Sequence, residues 1–148
     1  MPSLYEPARR QELLDRLARL QPDRPPKWGR FSAPKMVTHL IESMRMARGE
    51  ITPGARTLPL TFLLRPLLIH ARWIPWPRGA PTAPELLKRT PDSWQADLAT
   101  LRDLVATHPV YDEGAQVPTH PAFGRMSSRD WGALIYRHVD HHLTQFHC

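Results

Sequence analysis

Two histidines four residues apart, His138 and His142, raise the possibility of metal chemistry in this sequence. On an α-helix such residues share a face, with Cβ atoms roughly 5–6 Å apart, so both imidazoles can reach a common ion. On a wheel at about 100° per residue, residues 127–146 place Trp131, Leu134, Ile135, His138, His142 and Gln145 on one stripe. Ala133, Arg137, Asp140 and Thr144 fall on the other side. The two histidines thus lie among core-facing residues, where buried imidazoles without partners would be costly. Neutral imidazole is a good donor to zinc, nickel, iron or copper. A helical pair supplies two ligands, and His39, on a segment with Met36, Ser43 and Met46, can supply a third if the two faces meet. Periodicity leaves that pairing open, since an H-x-x-x-H spacing also arises by chance in a chain with eight histidines. Three histidines with no further protein donor leave a coordination position for water or substrate, as in catalytic rather than closed structural sites.

Other residues could assist such a site. Glu42, one turn after His39, is a candidate general base, or else an exposed glutamate in a salt bridge. His120 could approach the open side from its loop. His141, at the edge of the apolar stripe, is either an outer neighbour of the site or a solvated side chain. Trp131 and Met46 read as core. Cys148, the single cysteine, matches no catalytic setting.

The elements that must position these groups are helical. Leucines at 13, 14, 17 and 20 give residues 9–20 amphipathic spacing, ended by Pro22, Pro25 and Pro26. A second helix starts at Ser32 as N-cap, tolerates Pro34 in its first turn and stops at Gly49 as C′ residue. Residues 51–80 are broken by prolines and hold one short apolar helix over 61–71. A crossover of that length would let the helices on either side run parallel. Thr90 and Pro91 read as N-cap and N1 of a third long helix carrying Trp94, Leu98, Leu101 and Val105. A Pro- and Gly-rich loop covers 108–125, and Ser127 with Asp130 resembles a capping box opening the last helix, which runs to the end. With no period-two segment, the class is all-α.

Composition narrows the alternatives. The 148 residues suit one domain, 1–148, with a real core, and 41% hydrophobic with 23% charged residues argues against disorder. The start lacks a signal-peptide pattern, the most apolar stretch is too short for a bilayer, and one cysteine allows no internal disulfide. A cytoplasmic protein without membrane attachment is expected. The net charge of +6 comes from arginines scattered along the chain, with no nucleic-acid-binding motif, so nucleic acid is not an expected partner.

Three strings carry a resemblance. The stretch HVDHHLTQ (138–145) resembles the H-x-x-x-H-x-x-Q last-helix motif of the DinB/YfiT-like superfamily, and SAPKMVTHL (32–40) resembles the helix giving that superfamily's first histidine. HPAFG (120–124), followed by Ser127 and by Trp131 and Gly132, is similar to one branch of it without a settled activity. Residues 51–80 have no counterpart in the resemblance. It implies a four-helix bundle in up-down-down-up order with a three-histidine metal site at one end, and often a homodimer. Position by position it implies His39, His138 and His142 as ligands of a divalent metal (zinc, nickel, iron or manganese), with Gln145 behind them. Relatives of this kind include S-transferases using bacillithiol or mycothiol, a thiol-dependent isomerase and proteins taken to be metal-dependent hydrolases.

The leading expectation is therefore transfer of a low-molecular-weight thiol to a small electrophile, because a bound cation lowers a thiol's pKa. Hydrolysis through an activated water, with Glu42 or His120 assisting, is the competitor. A metal-binding stress-response module without turnover is the third. Because imidazole binds metal only when deprotonated, occupancy is expected to fall below about pH 6.

Overall fold

The computed structural model describes residues 2–54, 59–71, 76, 78, 79 and 82–148, with 59–64 described in backbone only. The remainder of the 51–80 crossover lies outside the described residues. Among them are five α-helices, one 3-10 turn and no strand, so the class is all-α as expected.

Helix α1 (Pro7–Ala18) starts two residues before the leucine pattern, with proline in its first turn, and buries Leu13 and Leu17 completely. Its end tightens into 3-10 bonds from Arg19 and Leu20, ahead of Pro22. Helix α2 (Ala33–Ala47) is the central element: only Pro34, Lys35 and Arg45 are not buried. Ser32 caps it as expected, its hydroxyl accepting from the Lys35 N–H. At the other end Gly49 takes φ 75°. Its N–H bonds to Met46 O, and the Glu50 N–H bonds to Arg45 O, the paired closure of a Schellman cap.

Helix α3 (Pro59–His70) is the short apolar helix of the crossover, beginning two residues early. A 3-10 turn (Pro84–Leu87), not foreseen from the sequence, then packs on α2. Helix α4 (Trp94–Ala106) corrects the expected start at Thr90 and Pro91. Its N-cap is Ser93, because the Asp97 carboxylate reaches back to the Asp92 N–H and to Arg89, holding 89–92 out of helical geometry. Helix α5 (Ser128–Gln145) has the expected N-cap, Ser127 accepting from the Asp130 N–H. The Asp130 carboxylate does not return to the cap; it meets His70 Nε2 at 2.8 Å.

Helix α1 packs on α4 and α5, and α2 packs on α4 and α5, so these four form a closed ring of contacts; α3 lies against α5. The ring buries more of α5 than one stripe. Ala133, expected on the solvated side, is buried together with Val139 and Leu143. Arg16 ties α1 to the end of α5 through Asp140 (2.6 Å), the Thr144 hydroxyl and the Cys148 carbonyl. Trp131 and Met46 are core residues, as read, and the Trp131 indole N–H donates to Pro118 O. No described helix is long and apolar enough to cross a membrane.

Candidate metal centre

Helix α2 brings His39, and α5 brings His138 and His142, to one place: one ring nitrogen from each lies within 4.8 Å of the others. Among the described residues no other group of three His, Cys, Asp or Glu side chains converges in this way. His39 and His142 are buried, and His138 keeps some exposure. Their ring centroids are about 5 Å apart, crossing at steep angles, so edges rather than faces converge.

Hydrogen bonds behind the rings decide which nitrogens face inward. His39 Nδ1 lies 3.3 Å from the Leu86 carbonyl of the 3-10 turn. A carbonyl only accepts, so Nδ1 carries the proton and Nε2 the lone pair. At His142 the same inference takes one further step. The Gln145 side-chain Nε2 donates to the Trp28 carbonyl at 2.7 Å, which turns its Oε1 toward His142 Nδ1 at 2.8 Å. His142 Nδ1 must then be the donor, and its Nε2 is free to bind an ion. His138 Nε2 stands 3.2 Å from His39 Nε2.

These features fit a divalent ion. At zinc–nitrogen distances of about 2.0–2.1 Å, tetrahedral geometry separates ligand nitrogens by about 3.3 Å, close to the His39–His138 spacing. Both outer partners are of the kind that fixes ring orientation around metals. The three histidines could bind a metal ion, and three neutral donors would leave a position open.

The rings are also held neutral. Burial pushes His39 down to about 4 and His142 to about 3, each from an ordinary value of 6.5. His138 is held well below that value by burial and by the neighbouring imidazoles. Such ligands need lose no proton to bind a cation near neutral pH.

Aromatic side chains flank the cluster. Phe31 contacts the rings of His39 (5.4 Å) and His142 (6.0 Å), and Trp76 contacts His138 (6.0 Å). His141 is half-buried between Trp28 and Trp76, neither a fourth ligand nor a freely solvated residue. Gly29, at φ 82°, lets the loop pass so close that a Cβ there would sit 2.8 Å from Gln145 Nε2.

The two proposed assisting residues stand differently. Glu42 is buried, not exposed, and pairs with Arg45 at 3.2 Å. His120 closes a tight loop in which its backbone exchanges two hydrogen bonds with Gly124, while its Nδ1 accepts from the N–H groups of Ala122 and Phe123. Burial lowers it to about 4, so it stays neutral with its proton on Nε2. Its ring lies 4.7 Å from that of Phe123 and 5.4 Å from that of Trp131, the latter on the helix that carries His138 and His142. Cys148 Sγ interacts with Arg24 and the Phe146 carbonyl.

Sequence reasoning missed Trp28, Phe31, Trp76 and the Leu86 carbonyl. Tryptophan shortly after or between prolines, as in the strings PPKW (25–28) and PWP (75–77), was a usable signal of ring-bearing loops. A backbone carbonyl carries no such signal.

The family model of the DinB superfamily matches residues 6–146. No curated protein and no solved structure matches the chain.

Proposed function

Because this chain belongs to the DinB superfamily, we propose that it is a metal-dependent enzyme transferring a low-molecular-weight thiol to a small electrophile. One observation carries the reading: three imidazoles from two helices lie within 4.8 Å of one another, two of them held by Leu86 O and Gln145 with Nε2 inward. A divalent cation held there would lower the pKa of a thiol that shares it, supplying the thiolate at neutral pH. The chain's part is to fix the imidazoles, keep them unprotonated and limit water around them with Phe31 and Trp76. Cys148 is engaged by Arg24 and Phe146 rather than by the histidines, so the thiol comes from a cosubstrate. As the sulfur–carbon bond forms, a chlorinated electrophile's bond to its leaving group breaks and chloride departs while the thiol proton passes to solvent; with an epoxide the ring C–O bond breaks instead and the new alkoxide takes up a proton.

Hydrolysis is the competing reading, because the same cation would lower the pKa of a bound water. Of the two side chains that could assist it, Glu42 is paired with Arg45 and His120 turns its Nδ1 lone pair to backbone N–H groups.

The test joins metal analysis to turnover. Protein purified without chelator should carry about one divalent ion per chain, and His138→Ala should lose it while remaining helical. The loaded protein should consume a small thiol with a chlorinated aromatic or an epoxide, and chelation should stop this. Ester hydrolysis without added thiol would overturn transfer, and metal binding without turnover of either kind would leave a non-catalytic module.

A further inference from the structure

The three imidazoles do not face solvent equally. His39 and His142 are 3% and 8% exposed, while His138 is only partly covered. The Leu86 carbonyl and Gln145 stand behind the two buried rings, and Phe31 lies against both. A molecule coming from solvent therefore reaches the cluster on the His138 side. Among the described residues, the aromatic ring from outside the cluster that contacts His138 is Trp76, at 6.0 Å between centres and a tilt of 33°.

Helix α5 seats that indole. His141 follows Arg137 by four residues and His138 by three, so the three side chains are neighbours on the helix surface. Trp76 rests on all of them: its ring centre is 5.6 Å from Arg137 Cζ and 6.2 Å from the His141 ring, besides its contact with His138. Arg137 also donates to the Ala71 carbonyl, just past α3, and so grips the crossover at a second point. Trp76 is half-buried and packs against the core, so moving it aside would return apolar surface to water. Nor can a molecule slip between the indole and His138. An inserted group would need about 7–8 Å between ring centres, twice a carbon contact of about 3.5–4.0 Å.

We propose that Trp76 is the specificity-determining residue of the site: its indole is a fixed wall that admits a slender electrophile and turns away one branched beside its reacting atom. The indole takes no part in bond making. This assignment rests on the reading of the cluster as a metal-dependent transferase site, whose substrate class it narrows.

Cobalt(II)-loaded protein reads the wall without turnover. Acetate and trimethylacetate carry the same carboxylate with nearly equal basicity and differ in branching next to it; each is titrated against the visible cobalt bands. Acetate should bind about tenfold more tightly, and Trp76→Ala should bring the two within about twofold. Trp76→Phe should keep part of the difference. The ligand-free cobalt spectrum and zinc affinity should be alike in native and variant proteins, which a general loosening of the centre would not allow. Should Trp76→Ala not fold, Trp76→Leu carries the same test, keeping apolar bulk without the width of the indole. Equal binding of the two carboxylates by native protein, or a difference undiminished by removal of the indole, overturns the proposal. Absence of turnover of a small thiol with a chlorinated aromatic, while acetate is still preferred, overturns the transferase reading and leaves Trp76 as the selector of what reaches the cation. Failure to take up cobalt or zinc overturns both.

Discussion

At the scale of single residues, the candidate centre depends on Gln145 more than its distance from the ion would suggest. Its amide has one orientation that serves both neighbours, donating to Trp28 O and accepting from His142 Nδ1. Gln145→Ala removes both bonds and frees the His142 ring to turn. Outer partners of this type are worth about 10–100-fold in metal affinity, so zinc competition against a chromophoric chelator should show a loss of that order. Gly29→Ala gives a stricter check, since it touches no histidine. Its Cβ would press on Gln145 Nε2, and its φ of 82° strains any L side chain. It should weaken zinc binding in the same direction, and unchanged affinity would separate Gln145 from the centre. The place of Gln145, one turn after His142, was legible from spacing. The partner of His39 was not, because the Leu86 carbonyl belongs to a 3-10 turn that no periodicity marks.

At the scale of elements, the helices were legible where local chemistry alone sets them and misread where tertiary contacts intervene. Ser32, Gly49 and Ser127 act through bonds within four residues and were found at their expected positions. The start of α4 was misplaced because Asp97, inside the helix, captures Asp92 and Arg89. Ala133 was misassigned because α5 is covered on more than the face holding its histidines. The N-terminal segment contributes to this cover: the Leu4 N–H bonds to Gly132 O, and a Cβ on Gly132 would meet Ser3 Oγ and come within 3 Å of the Tyr5 ring. Gly132→Ala ought to gain about 1 kcal/mol from helix propensity, yet overpacking costs about 1–3 kcal/mol. The expected outcome is a net loss in urea denaturation, and a gain would show that the 3–5 segment yields freely. The far end of α5 offers the opposite case. His147 takes φ 62° at the position where Gly49 ends α2, and its N–H and that of Cys148 close the same paired cap on Thr144 and Leu143. His147→Gly relieves that strain and should raise stability by up to about 1 kcal/mol.

At the scale of the whole molecule, burial of the histidines couples acid stability to the candidate metal centre and revises the pH range expected from free imidazole. His39, His108 and His120 are pushed to about 4 and His142 to about 3, against 6.5 for an ordinary histidine. Between those values the unfolded chain binds protons that the folded chain refuses, so stability rises with pH in this window and falls on acidification. Each such group contributes a slope of about 1.4 kcal/mol per pH unit. Several acting together approach the total stability of a domain, about 5–15 kcal/mol. Metal-free protein should therefore have a denaturation midpoint that is flat from pH 7 to 9 and drops steeply from about 6.5 toward 4. For the loaded protein, burial keeps the folded ligands unprotonated well below the range of a free imidazole, so loss of the ion on mild acidification should come through unfolding. Zinc release, followed with a chelating dye, and loss of helical circular dichroism should then trace one curve as pH is lowered. Release near pH 6 from a protein that stays fully helical would mean that the ligand imidazoles titrate as if exposed, and the buried centre formed by α2 and α5 would have to be abandoned.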